Sequence, residues 1–144
     1  MSNKIREANL GDSDIINELS NHLEYEAVSD EVASGRLKTI LDSNDENIWI
    51  IESDGKIHGW LHVFIAHRVA SPTFVEIGGL VILPESRRKG VGSALVGYAI
   101  NWAKDQNLSL RVRCNSKRKE AHRFYESVGF IKMKVQNIYE SCCT

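Results

Sequence analysis

The chain has 144 residues, 42% of them hydrophobic and 26% charged, with a formal net charge of −1. This is the balance of a globular protein long enough to bury a core without staples. The near-neutral total hides an asymmetry. Residues 1–72 hold 6 Lys/Arg and 13 Asp/Glu, whereas residues 73–144 hold 12 and 6, so the second half suits a polyanionic ligand and the first a cationic one.

Three cysteines, Cys114, Cys142 and Cys143, are too few and too oddly placed for a disulfide framework, and no Cys/His pair has zinc spacing, so no metal is expected. No apolar run approaches a membrane span and no apolar signal region leads the chain, which predicts a cytoplasmic protein with no membrane partner.

Lys4 to Ala8 reads as a first strand. Asp12 can cap a helix whose Ile15, Ile16, Leu19 and Leu23 share one face. A polar connection follows, with Glu24, Glu26 and Asp30 around Tyr25. Ser29 or Asp30 can cap a second helix carrying Ala33, Leu37, Ile40 and Leu41. Asn47 to Ser53 and Lys56 to Ala66 are predicted strands, joined at Asp54-Gly55 by a two-residue hairpin turn. A polar stretch through Ser71-Pro72 leads to the most apolar strand, Phe74 to Leu83. Within it, Gly78-Gly79 weakens the ladder unless a bulge is wanted.

Pro84 ends that strand. Arg87-Arg88-Lys89-Gly90-Val91-Gly92 follows, and Ser93 opens a helix with Leu95, Tyr98, Ala99 and Trp102 on one face. Strand, basic glycine turn and helix together make an anion site, since the first helical N–H groups lack internal partners and the helix dipole adds positive potential. The turn lacks the Lys-Ser/Thr of a P-loop and the third glycine of a dinucleotide fold. Leu108 to Cys114 alternates as a strand. A basic loop, Asn115 to Lys119, leads to a helix over about Glu120 to Val128, stopped by Gly129. Phe130 to Val135 and Ile138 to Glu140 would be closing strands. The order is β-α-α-β-β-β-α-β-α-β(β), an α/β or α+β mixed sheet covered by helices over a single domain, 1–144.

Arg87-x-x-Gly90-x-Gly92 after a bulged strand resembles the pyrophosphate signature of the GNAT superfamily of N-acetyltransferases. The segment from Asn115 through Ala121-His122-Arg123-Phe124-Tyr125 to Gly129-Phe130 resembles that family's second signature. The resemblance implies a splayed sheet of six to seven strands with about four helices, and acetyl-CoA as co-substrate. It places the thioester arm along Leu80, Val81, Ile82 and Leu83. The pyrophosphate falls on Arg87, Arg88, Lys89, Gly90, Val91, Gly92 and Ser93, with Asn115 at the pantetheine amides. Arg123, with Lys117 and Lys119, is expected near the adenosine phosphates.

Amide formation from a thioester needs a proton acceptor for the amine, donors for the oxyanion, and an acid for the thiolate. Glu76 is the expected base, as the one acidic residue of an apolar strand, eleven residues before Arg87. Its alternative is a sheet-edge carboxylate or an ion-pair partner for an arginine. His58, His62 and His67 are secondary candidates. The second signature implies Tyr125 as the acid, its phenol of pKa about 10 being close enough to a thiol of about 8.5 for proton exchange. The resemblance also implies an acceptor pocket that draws on Glu24, Tyr25, Trp60 and His62, holding a small primary amine, or else a protein N-terminus or lysine. A non-catalytic acetyl-CoA sensor is the other class. Nucleic acid is not an expected partner, because the basic groups flank a glycine turn without a stacking platform. Homodimers are frequent in the family, though no stretch specifies an interface.

Overall fold

Asp54 and Gly55 both take left-handed backbone angles, φ 53° and 77°, as a two-residue hairpin turn requires. On that turn Glu46–Ser53 and Lys56–Ala66, the latter the longest strand among the described residues, fold back on one another. A computed structural model of the chain describes residues 3–21, 26 and 28–141. Two compact units make up the chain, Met1–Arg113 and Cys114–Thr144, and each is described by itself.

The first unit holds β1 (Lys4–Glu7), a 3-10 turn (Leu10–Asp12), α1 (Ser13–Ser20), α2 (Asp30–Leu41), β2 (Glu46–Ser53), β3 (Lys56–Ala66), β4 (Phe74–Ile82), a second 3-10 turn (Pro84–Ser86), α3 (Val91–Asp105) and β5 (Leu110–Val112). The strands form one sheet in chain order. β1 to β4 pair antiparallel, and β5 returns parallel to β4, the crossover being α3. Ser29 is the cap of α2, its Oγ accepting the Val32 N–H at 3.2 Å.

Residues paired across a sheet project to the same face. On one face Trp49 packs edge-on against Tyr98 and Trp102 of α3, with ring centroids 5.1 and 5.4 Å apart. Leu95, Val96, Ala99 and Ala103 of that helix are buried with it. On the other face Ile48 and Ile50 join Ala8 and Leu37, with Ile16, Ile40, Leu41 and Trp60 packed against them. Truncating an enclosed aromatic such as Trp49 to Ala would cost about 3–5 kcal/mol.

The sheet has five strands among the described residues, where six to seven were expected. In the second unit, α4 (Lys119–Ser127) forms as predicted, but residues 130–141 adopt no strand. Ile131, Met133, Val135, Ile138 and Tyr139 there are 67–89% exposed. Alternation makes a strand only where a neighbouring ladder takes up its N–H and C=O groups. β5 is likewise shorter than the predicted Leu108 to Cys114.

Candidate functional site

β4 does two things that a buried central strand ordinarily avoids. Its pairing with β3 slips between His62 and Val63: Gly79 lies opposite His62 and Ile77 opposite Val63, leaving Gly78 as the extra residue of a bulge. Its pairing with β5 also stops, covering only Val75, Ile77 and the Glu76 between them. From Gly78 to Ile82, β4 is therefore held by a strand on one side only among the described residues, and its outer edge is open for other hydrogen-bonding groups. The expected bulge at Gly78-Gly79 is present. It also shifts the phase of the strand: Phe74, Glu76, Gly79 and Val81 share a face, whereas uninterrupted alternation would set Gly78, Leu80 and Ile82 with Glu76.

The open strand runs through Leu83 into the Pro84–Ser86 turn and then into Arg87, Arg88, Lys89 and Gly90, all exposed. Arg88 and Gly90 take left-handed angles, φ 62° and 77°. A Cβ at residue 90 would meet nothing within 4 Å, so glycine is required there by the backbone angle and not by crowding. The first bond of α3 runs from the Ala94 N–H to the Gly90 carbonyl at 3.0 Å. The N–H groups of Val91, Gly92 and Ser93 precede it and point out of the helix start, with no acidic residue in the first turn. Backbone donors, a dipole and three exposed cations suit a pyrophosphate. The turn is anchored from beneath, because the buried Ser86 Oγ bonds His58 Nδ1 at 2.8 Å, and His58 Nε2 bonds Ser53 Oγ at 2.6 Å. Both His58 nitrogens are thus engaged, a structural arrangement.

Trp60, His62 and Phe64 lie on the face of Glu76, with Phe64 paired directly to it. Glu76 is 8% exposed, and Arg113 Nε donates to its Oε1 at 2.9 Å. Arg111 is paired with Glu76 across β5. Its guanidinium carbon lies 4.1 Å from the Phe74 ring centre, with that of Arg68 at 5.3 Å. Beside this group, Glu46 Oε1 bonds His62 Nε2 at 2.9 Å. The His62 ring lies against Gly78, and a Cβ there would come 2.5 Å from Nδ1. His67 is out on the surface, 3.3 Å from Asp45. Glu24 and Tyr25 lie outside the described residues, as do Cys142 and Cys143.

In the second unit, Asn115 Oδ1 accepts the Lys117 N–H at 2.9 Å. Its carbonyl accepts from the Arg118 N–H at 3.0 Å and bonds His122 Nε2 at 2.9 Å. α4 carries Arg123 and Tyr125. The Tyr125 ring meets Phe124 and Phe130 edge-on at 5.1 and 5.5 Å. Gly129, at φ 103°, stops the helix, and the Phe130 N–H returns to the Tyr125 carbonyl at 3.0 Å. Burial pushes the Cys114 thiol up, against a smaller opposing pull from Arg118, which makes it a poor nucleophile.

Among the described residues no three His, Cys, Asp or Glu side chains gather as for a metal ion, and no helix is long and apolar enough to cross a membrane. Sequence reasoning missed Glu46, Arg111 and Arg113. The last two stood in the basic alternation of Leu108 to Cys114, but nothing in the sequence tied them to Glu76.

Residues 14–130 match the family model described as the acetyltransferase (GNAT) family. Over 114 residues the chain is 30% identical to the aminoalkylphosphonate N-acetyltransferase of Salmonella typhimurium, covering 78% of this chain and 71% of that one. Two solved structures share the fold at lower identity. The aminoglycoside 6'-N-acetyltransferase AAC(6')-IG of Acinetobacter haemolyticus aligns with a TM-score of 0.84 and 20% identity, over 98% of this chain and 99% of that one. AAC(6')-Iy, in complex with a CoA-containing bisubstrate analogue, aligns with a TM-score of 0.87 and 19% identity, over 99% of this chain and all of its own.

Proposed function

The chain belongs to the GNAT family of acetyltransferases, and on that premise we propose that it transfers the acetyl group of acetyl-CoA to a small-molecule primary amine by direct attack in a ternary complex. The observation that carries the reading is β4. It opens on one side at Gly78 and runs, still open, into the glycine-built, basic start of α3. A pantetheine arm carries amides that can pair with such a strand edge, and a pyrophosphate answers the helix start. Leu80 to Leu83 would hold the arm and Arg87 to Ser93 the pyrophosphate, with Asn115 and Arg123 contributing as the second signature implies. Tyr125 is the proposed acid for the thiolate. Glu76 is proposed to meet the incoming amine, as the buried carboxylate of the open face.

The acceptor can be narrowed. The relative from Salmonella is named for an amine that also carries a phosphonate, whereas aminoglycosides are polycations. Here three guanidinium groups, those of Arg68, Arg111 and Arg113, surround Phe74 and Glu76. Cations at that density repel a polycation and attract an anionic group. An amine that also carries a phosphonate or carboxylate is therefore the preferred acceptor.

The test is thiol release from acetyl-CoA against aminoalkylphosphonates, amino acids, aminoglycosides, polyamines and short peptides. Release with the phosphonates or amino acids, reduced in Tyr125→Phe, is expected. Release with aminoglycosides or polyamines alone would overturn the arginine argument. Release with peptides alone would make the protein a protein acetyltransferase. Calorimetric acetyl-CoA binding without turnover on any amine would make it a sensor.

A further inference from the structure

We infer that His62, oriented by Glu46, is the group that takes the proton from the attacking amine. The inference rests on the acetyltransferase reading above and deepens it by naming the base. It starts from the two ends of one imidazole. Nε2 bonds Glu46 Oε1 at 2.9 Å. A carboxylate can only accept, so the ring proton sits on Nε2 and the lone pair on Nδ1. Nδ1 has no hydrogen-bond partner among the described residues. It faces the bulge, where a Cβ on residue 78 would come 2.5 Å from Nδ1 and 2.8 Å from Cε1. Only glycine leaves the ring that position. The lone pair is thereby presented at the point where β4 parts from its regular pairing.

The surroundings distinguish this pair from the other carboxylate of the face. Glu76 Oε1 already accepts from Arg113 Nε at 2.9 Å, whereas His62 Nδ1 is engaged by no such partner. The His62 side chain is 17% exposed and that of Glu46 26%, enclosed enough to be held and open enough to be reached. The charged groups facing His62 are Glu46 on β2, Glu76 with its Arg113 partner, and Arg111 beyond them. α1 offers only Asp14 and Glu18, both exposed. Phe64 lies beside the ring with centroids 6.0 Å apart.

The neutral amine nitrogen attacks the thioester carbonyl carbon, the C–N bond forms and the C–S bond breaks. The proton leaving nitrogen goes to His62 Nδ1, and the thiolate takes one from the acid proposed above. Solvent then carries a proton from the imidazolium to the spent acid, leaving an amide and a thiol. Glu46 touches no reacting atom; it is a positioning residue that fixes the tautomer and the orientation of the ring.

The experiment measures kcat, KM and their pH profiles for acetyl-CoA with (aminomethyl)phosphonate or glycine, whichever is turned over. The variants are His62→Gln, which can still bond Glu46 but cannot take the proton, Glu46→Gln and Glu76→Gln. His62→Gln is expected to lower kcat about 100-fold or more, with little change in the KM for acetyl-CoA, and to lose the acid limb of the profile. Glu46→Gln is expected to lower kcat about tenfold with the KM for acetyl-CoA kept, because an amide can donate as well as accept and no longer fixes the ring tautomer. If His62→Gln fails to fold, as judged by its thermal melt, that split of kcat from KM in Glu46→Gln carries the test, and an unchanged kcat would overturn the inference. An acid limb kept in His62→Gln and lost in Glu76→Gln would overturn the inference while leaving the acetyltransferase reading intact. No turnover by the wild-type protein on any amine would remove that reading, and the inference with it.

Discussion

Asp12, behind β1, and His62, in the middle of β3, are both largely enclosed polar groups of the same unit, but their bonding is completed differently. Asp12 is closed on every side. Arg6 grips it as a fork at 2.8 and 2.9 Å, the Asn9 N–H adds a bond at 2.8 Å, and Arg6 Nε goes on to Glu52 at 3.2 Å. His58 is closed in the same way between two serines. His62 is tied at one nitrogen and left with a lone pair at the other. Polar groups that serve the fold use up their hydrogen-bonding capacity internally, because an unmet buried group costs about 1–3 kcal/mol. A group that must meet a substrate keeps one valence unspent.

The largest effect should come from breaking the closed corner. Asp12→Ala leaves Arg6 without its main partner and is expected to cost about 3 kcal/mol in urea unfolding at neutral pH. The Arg6 hydrogen bonds hold the Asp12 carboxyl below the usual carboxylate range, with the Asn9 N–H adding to them against burial. A carboxyl lowered in the folded state gives stability that is full above its unfolded range. That stability is lost as pH falls through the folded value, here below about pH 4. Asp12→Asn should therefore lose less stability than the wild type between pH 5 and pH 2. Equal losses would mean that the corner is not what acid attacks. Catalysis by the folded variant should be unchanged.

The open site should break by crowding. Gly78→Ala places a methyl where the edge of the His62 ring lies. The ring can swing away, so the fold should survive with its melting temperature nearly kept, while kcat falls about 30-fold as the base loses its position. An unchanged kcat would place the proton acceptor elsewhere. Next in size is His58→Ala, which strands the Ser86 hydroxyl, 2% exposed as a residue, at a cost of about 1–2 kcal/mol. Its activity should change chiefly as a higher KM for acetyl-CoA with kcat kept, since Ser86 underpins the turn and not the face. A loss of kcat equal to that of His62→Gln would erase the distinction between the two histidines.

The contrast also marks where sequence stops being legible. Hairpin, bulge, glycine turn and α3 could all be read, because each depends on local backbone chemistry: Asp54-Gly55 for the turn, Gly78-Gly79 for the bulge, Gly90 for the left-handed entry. The Glu46–His62 pair could not. Counting outward from the hairpin turn pairs Ser53 with Lys56 and Glu52 with Ile57, and would set Glu46 opposite Val63, on the face away from His62. A second irregularity intervenes between Ile51 and Glu52, so that Ile51 meets Gly59 and Glu46 meets Phe64. One skipped residue, His58, turns β2 from Ile51 back to Glu46 over relative to β3. The closing strands failed for the complementary reason: Ile131, Met133 and Val135 alternate well, but a strand is a property of a pair.

Gly90 sets the lower bound of these effects and tests the reading of the glycine turn separately from that of the face. Unlike Gly78, it has no neighbour that a methyl would strike; its constraint is φ 77° alone. Gly90→Ala should therefore cost only about 1 kcal/mol, the strain of a left-handed alanine, and the pH profile that reports His62 should keep its shape. Arg88 already bears such an angle, at φ 62°, two residues away. A second strained residue should loosen the turn and weaken acetyl-CoA binding a few-fold by calorimetry. If affinity falls while the acid limb stays, turn and face are separable parts, one holding the cofactor and the other handling the proton. If the limb moves as well, the bulge and the turn behave as one element along β4.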